Sequence, residues 1–115
     1  IYFDQPTSLD VDVVGNIYVA DQGNHRIQIF DNTGVFISSF GSFGNSNRQF
    51  NSPNHLTLDD VGNVYVTDVN NRIQALDDNG LFLRSFGSAG TGNGQFDETN
   101  GIEFGTDRLL YISDK

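Results

Sequence analysis

Leu9 and Val11 alternate with Ser8, Asp10 and Asp12, and the same alternation returns at Leu56 and Leu58 and again at Ile102 and Phe104. Apolar and polar residues in turn describe a β-strand with one polar face. The next run differs. Ile17-Tyr18-Val19-Ala20, Val64-Tyr65-Val66-Thr67 and Leu110-Tyr111-Ile112-Ser113 are apolar on both faces, as in a strand sandwiched between layers. Arg26-Ile27-Gln28-Ile29-Phe30 alternates once more, and a fourth run from Val35 to Phe40 is repeated from Leu81 to Phe86. Between the runs stand turn signals such as Asp12-Val13-Val14-Gly15-Asn16, Asp31-Asn32-Thr33-Gly34 and Asp77-Asp78-Asn79-Gly80. The pattern predicts strand pairs at 7–12 with 16–21 and 25–30 with 35–40, repeated one period later. It also predicts burial of Leu9, Val11, Ile17, Val19, Leu56, Leu58, Val64 and Val66. Nowhere does a helical period appear.

The runs recur on a fixed spacing. Gly15-Asn16-Ile17-Tyr18-Val19-Ala20-Asp21 returns as Gly62-Asn63-Val64-Tyr65-Val66-Thr67-Asp68, and 62 − 15 gives a period of 47. Arg26-Ile27-Gln28 returns as Arg72-Ile73-Gln74, and Ser39-Phe40-Gly41-Ser42 as Ser85-Phe86-Gly87-Ser88, each 46 residues on. Asn100-Gly101-Ile102 opens a further copy. Such a period marks a repeat architecture, in which one unit cannot bury its own apolar face. Four short antiparallel strands per unit describe the blade of a β-propeller, so the fold class is all-β. The units divide as 1–49, 50–95 and 96–115, the last holding only the first two strands of a blade. Gly- and Asn-rich loops, Gly41 to Asn51 and Gly87 to Glu98, step from the outer edge of one blade to the inner edge of the next.

At this point the residues resemble NHL repeats. The pattern is carried by Pro6 and Pro53, the Gly15 and Gly62 blocks, Asn24-His25-Arg26-Ile27 and Asn71-Arg72-Ile73, then Phe40-Gly41 and Phe86-Gly87. The resemblance implies a roughly six-bladed propeller, with about four blades beyond those in hand. Departures from the pattern are informative. His25 has no counterpart in the second unit, Thr99 replaces the opening Pro in the third, and Ser8 and His55 stand where the pattern places Gly.

Composition narrows the function classes. The formal charge is −9, from 15 acidic residues against 6 basic ones. An acidic surface opposes nucleic acid, whose binding needs Lys and Arg to displace phosphate counterions, and it opposes anionic lipid surfaces. Neither a nucleic-acid partner nor membrane insertion is expected. No Cys is present, so no disulfide or thiolate site exists. The chain begins at Ile1 and has no Met, and it reads as part of a larger closed propeller completed by the same chain or by partner copies. The acidic, Asn- and Gly-rich, Cys-free character suits an extracellular or cell-surface setting.

Candidate chemistry is sparse. Asp21 with Arg26, and Asp68 with Arg72, are placed to close the loop between second and third strands as ion pairs. His25 reads as a turn or blade-packing residue. His55 breaks the repeat beside Asn54, near the expected channel mouth, but a zinc site needs three or four converging ligands and only two His are present. The Asp59-Asp60-Val61-Gly62-Asn63 turn lacks calcium-loop spacing. No catalytic residue is assigned. Binding residues at the inner-strand entrance and the rim loops are Ser8, Gln22, His25, Asn54, His55, Asn70 and Asn100.

The resemblance implies a non-catalytic scaffold that binds a protein, peptide or glycan through its rim loops, and no cofactor. RNA-binding members of the family use a basic face that this chain does not show. Two alternatives stand beside the scaffold. One is a lyase- or lactonase-like propeller enzyme holding a metal ion in the channel of the complete ring. The other is a structural component of an extracellular layer or fibre.

Overall fold

Four hairpin turns share one device. Asp12, Asp31, Asp59 and Asp77 each turn Oδ1 onto the backbone N–H groups two and four residues ahead, at 2.8–3.0 Å. The glycine three residues after each Asp takes the left-handed backbone that closes the turn. These carboxylates hold the hairpins together, so part of the acidic count is structural.

The computed structural model describes residues 6–69, 72–89, 93, 95–96 and 99–114. The first sheet runs β1 (Pro6–Val11), β2 (Ile17–Asp21), β3 (Arg26–Phe30) and β4 (Phe36–Phe40), in that order and antiparallel throughout. A single 3-10 turn, Gln22–Asn24, joins β2 to β3. The linker to the next unit is not a plain loop: β5 (Ser42–Phe43) and β6 (Gln49–Phe50) pair in parallel across it. The second sheet repeats the order with β7 (His55–Leu58), β8 (Val64–Thr67), β9 (Ile73–Leu76) and β10 (Phe82–Phe86). A second parallel bridge, β11 (Ser88–Ala89) with β12 (Gln95–Phe96), precedes the antiparallel pair β13 (Thr99–Phe104) and β14 (Leu110–Asp114). The architecture is that of β-propeller blades.

The sheets stack face to face. Tyr18, Ala20, Ile27 and Ile29 of the first join Leu56, Leu58, Val64 and Val66 of the second in one buried cluster. Tyr65, Ile73 and Ala75 on the far face of the second sheet receive Ile102, Leu110 and Ile112 of the third. The innermost strands β1, β7 and β13 are stitched by side chains onto backbone. Leu56 N donates to Ser8 Oγ at 3.2 Å, Leu58 N to Asp10 Oδ2 at 3.0 Å, and Phe104 N to Thr57 Oγ1 at 3.1 Å. These bonds satisfy donors that a free strand edge would leave open.

One burial expectation fails. Val19, Leu56, Leu58, Val64 and Val66 are buried, and Ile17 is half-buried, but Leu9 is 64% and Val11 50% exposed. Ser8 and Asp10 reach toward the second sheet, so alternation turns Leu9 and Val11 the other way, where no described element covers them. In β1 the polar positions, not the apolar ones, face the neighbouring blade.

Candidate functional site

The loops between second and third strands and the linkers between blades gather at one end of the stack. Their geometry starts at Asp21, which ends β2 and is fully buried. Its Oδ2 accepts from Asn24 Nδ2, Arg26 Nε and Gln28 Nε2, each at 3.0 Å. The expected Asp21–Arg26 ion pair is therefore present, as the centre of a three-donor network. A buried carboxylate needs such donors, since desolvation otherwise drives it to protonate.

The second unit departs from the expected copy. Arg72 places its guanidinium on the carbonyl oxygens of Asn45, Ser46 and Gln49 at 2.6, 3.1 and 2.7 Å, and not on Asp68. Asp68 Oδ2 instead accepts from Asn51 N at 3.0 Å. The one-residue deletion in this loop shifts Arg72 relative to its aspartate, and the linker carbonyls take the charge. Gln74 reinforces the same linker, donating to Gln49 O at 2.6 Å and accepting from Arg48 N at 2.9 Å. The second blade thus holds the 45–51 segment through Asp68, Arg72 and Gln74.

His25 lies at the tip. Its backbone is left-handed, at φ 53°, and its N–H donates to Gln22 O at 3.2 Å. Nδ1 accepts from Ser52 N at 2.9 Å, which places the ring proton on Nε2. The ring also stands edge-on to Phe43, with centroids 4.8 Å apart. Phe43 is 64% exposed, and Val69 on the adjacent loop is 50% exposed. Beside Phe43 a polar groove is lined by Ser39, Gly41, Ser42, Asn47, Arg48 and Gln49.

Ser8, Asn54 and His55 come together at the start of the inner strands. Asn54 Oδ1 accepts from Thr67 Oγ1 at 2.7 Å, and Ser8 Oγ holds the amide next to His55. His55 is half-buried and pairs with Thr67 in the ladder. Gln22 and His25 lie on the rim loop, where His25 accepts from Ser52 N, two residues before Asn54. Asn70 lies outside the described residues, and Asn100 is placed only as a backbone position of β13. Sequence reasoning missed Phe43 and Val69. A signal existed for Phe43, whose counterpart one unit later is Ala89.

At the opposite end, burial raises Tyr18 above the ordinary phenol value, with Asp12 and Asp78 adding to it. Tyr65 is raised by burial and by Asp59, whose Oδ2 accepts its hydroxyl at 3.2 Å. Among the described residues no three His, Cys, Asp or Glu side chains are grouped as a metal ion requires, and no helix is long and apolar enough to cross a membrane.

Residues 3–30 match the family model for the NHL repeat. The matched stretch runs through the first three strands of the first sheet. Over 51 residues, 44% of its length, it is 43% identical to the protein brain tumor of Drosophila melanogaster, of which this stretch spans 5%. Virginiamycin B lyase from Staphylococcus aureus superposes with a TM-score of 0.71 at 19% identity, over 96% of this chain and 34% of that one. Kuenenia stuttgartiensis hydrazine synthase superposes with a TM-score of 0.73 at 13% identity, over 98% of this chain and 31% of that one. At such identities the likeness establishes the propeller fold alone. The chain spans about a third of the solved structures it resembles.

Proposed function

We propose that this chain is a non-catalytic binding scaffold, and that the rim around His25 recognises a protein, peptide or glycan partner. The observation that carries this reading is Phe43, an aromatic ring 64% exposed on β5, which pairs with β6 in the linker segment that the second blade holds. An exposed aromatic on rigid backbone loses little entropy on docking and buries a large area, the usual character of an interface anchor. Val69 extends the apolar patch, and Asn24, Arg48 and the groove beside Phe43 supply a polar rim. The net charge of −9 favours a basic partner surface over nucleic acid or anionic lipid. An extracellular or cell-surface setting fits the absence of Cys.

Peptide and glycan arrays, probed with the wild type and with Phe43→Ala and Val69→Ser, test the reading. Both substitutions are on exposed residues, and circular dichroism of each variant is expected to match the wild type. Ligands selected by the wild type are expected to bind each variant about tenfold more weakly or worse. Unchanged binding by both variants places recognition elsewhere on the chain.

A further inference from the structure

The first and second blades differ along one row of their sheets. Tyr18, Ile29 and Ser38 stand side by side across β2, β3 and β4, and Tyr65, Ala75 and Arg84 fill the same row of β8, β9 and β10. Arg84 is the counterpart of Ser38, since 84 − 46 = 38. In the second blade the row supplies its own partners. The Tyr65 hydroxyl donates to Asp59 Oδ2 at 3.2 Å. Burial and then Asp59 raise that phenol, and the Arg84 guanidinium beside it opposes them.

In the first blade the short Ser38 side chain leaves that place open. A cleft of about 460 Å³ lies between the first two blades, lined by Asp12, Asn16, Tyr18, Ile29, Ile37 and Asp78 among others. Both of its walls belong to this chain, and none of the described residues lining it is cationic. Tyr18 is only 2% exposed, yet among the described residues nothing accepts from its hydroxyl. Asp12, the counterpart of Asp59, spends Oδ1 on its own turn at Val14 N and Asn16 N, and Oδ2 does not reach the phenol. Asp78 comes to the cleft from the turn of the second blade, and its charge and that of Asp12 both act on Tyr18. A buried hydroxyl without a partner, between two carboxylates, calls for a donor from outside the chain.

We infer that this cleft binds a guanidinium group, carried by an arginine side chain of a partner or by a small guanidinium compound, with Asp12 Oδ2, Asp78 and the Tyr18 oxygen as acceptors. Arg84 provides from within the second blade the cation that the first blade takes from outside. A guanidinium suits the place better than an ammonium. It is weakly hydrated, presents a planar fork of N–H donors to carboxylates, and lies flat on apolar walls such as Ile29 and Ile37. The site is at the opposite end of the blades from Phe43 and does not rest on recognition there.

Titration of the full-length protein with methylguanidinium, followed by NMR of ring-labelled tyrosines at fixed ionic strength, tests the inference. The Tyr18 signal, assigned with Tyr18→Phe, is expected to shift and saturate while that of Tyr65 stays still. Asp78→Asn, on an exposed residue, should weaken binding about tenfold by removing a charged acceptor. Ser38→Arg places the chain's own guanidinium in the cleft and should abolish the response. Arg84→Ser should make Tyr65 responsive in turn. A short arginine peptide that binds more tightly than methylguanidinium identifies the source as a protein side chain, and equal affinity identifies a free small compound. A Tyr18 signal that does not saturate, or that responds alike in the wild type, Asp78→Asn and Ser38→Arg, overturns the inference. Equal affinity for methylammonium overturns the assignment to guanidinium.

Discussion

At the scale of single residues, the strongest constraints are carboxylates that have left the solvent. Asp21 is fully buried and accepts from Asn24, Arg26 and Gln28 at 3.0 Å, so its removal takes a shared acceptor from all three. Asp21→Ala is expected to cost about 3 kcal/mol, the low end for breaking a buried pair because Arg26 keeps part of its hydration. Asp21→Asn, which can still accept, should cost less, and urea titration of the three proteins decides it. The tyrosines set the alkaline limit. Burial first, then Asp12 and Asp78, raise Tyr18, so the fold favours the neutral phenol. Stability is then intact below the unfolded value of about 10 and falls as pH rises through the raised folded value. Melting temperatures taken from pH 9 to 11 should fall more steeply for the wild type than for Tyr18→Phe.

At the scale of elements, the Phe-Gly that closes the first blade has a steric reason. Gly41 sits at φ +109°, and a Cβ there would lie 2.7 Å from the ring of the buried Phe50. Gly41→Ala meets both left-handed backbone strain and overlap with a packed ring, and about 2–4 kcal/mol of destabilisation is expected from the two together. Gly34→Ala, with nothing within 4 Å, isolates the backbone part at about 1–2 kcal/mol, and thermal unfolding of the pair separates the two effects. The strands themselves were legible because their periodicity is local: 7–12 and 16–21 in the reading correspond to Pro6–Val11 and Ile17–Asp21. What each face meets was not legible. Leu9 and Val11 read as core because alternation names a face without naming its neighbour. Arg72 likewise read as a partner of Asp68, since the one-residue deletion gives no hint that the linker carbonyls of Asn45 and Gln49 lie closer. Phe43 and Val69 went unread because exposure of an apolar loop residue depends on how two blades meet.

At the scale of the molecule, stability is shared between blades through their contacts, and the innermost strands carry a polar share of it. A stacked repeat behaves as a row of units coupled to nearest neighbours, so weakening one interface should uncouple the units on either side. Asp10 is the test position. Its Oδ2 accepts from Leu58 N at 3.0 Å and Thr57 Oγ1 at 3.3 Å, and Leu58 is buried, so Asp10→Ala leaves a backbone donor without its partner. The expected loss is about 1–3 kcal/mol, concentrated at the first interface. Thr57→Val makes its main lesion at the second interface by removing the acceptor of Phe104 N; at the first it removes the 3.3 Å donor to Asp10 but leaves the bond from Leu58 N. Amide hydrogen exchange distinguishes them. Asp10→Ala should lower protection in β2 and β3 more than in β14, and Thr57→Val should do the reverse. Equal loss throughout in both variants would mean that the three sheets open as one unit, with coupling stronger than any single ladder bond.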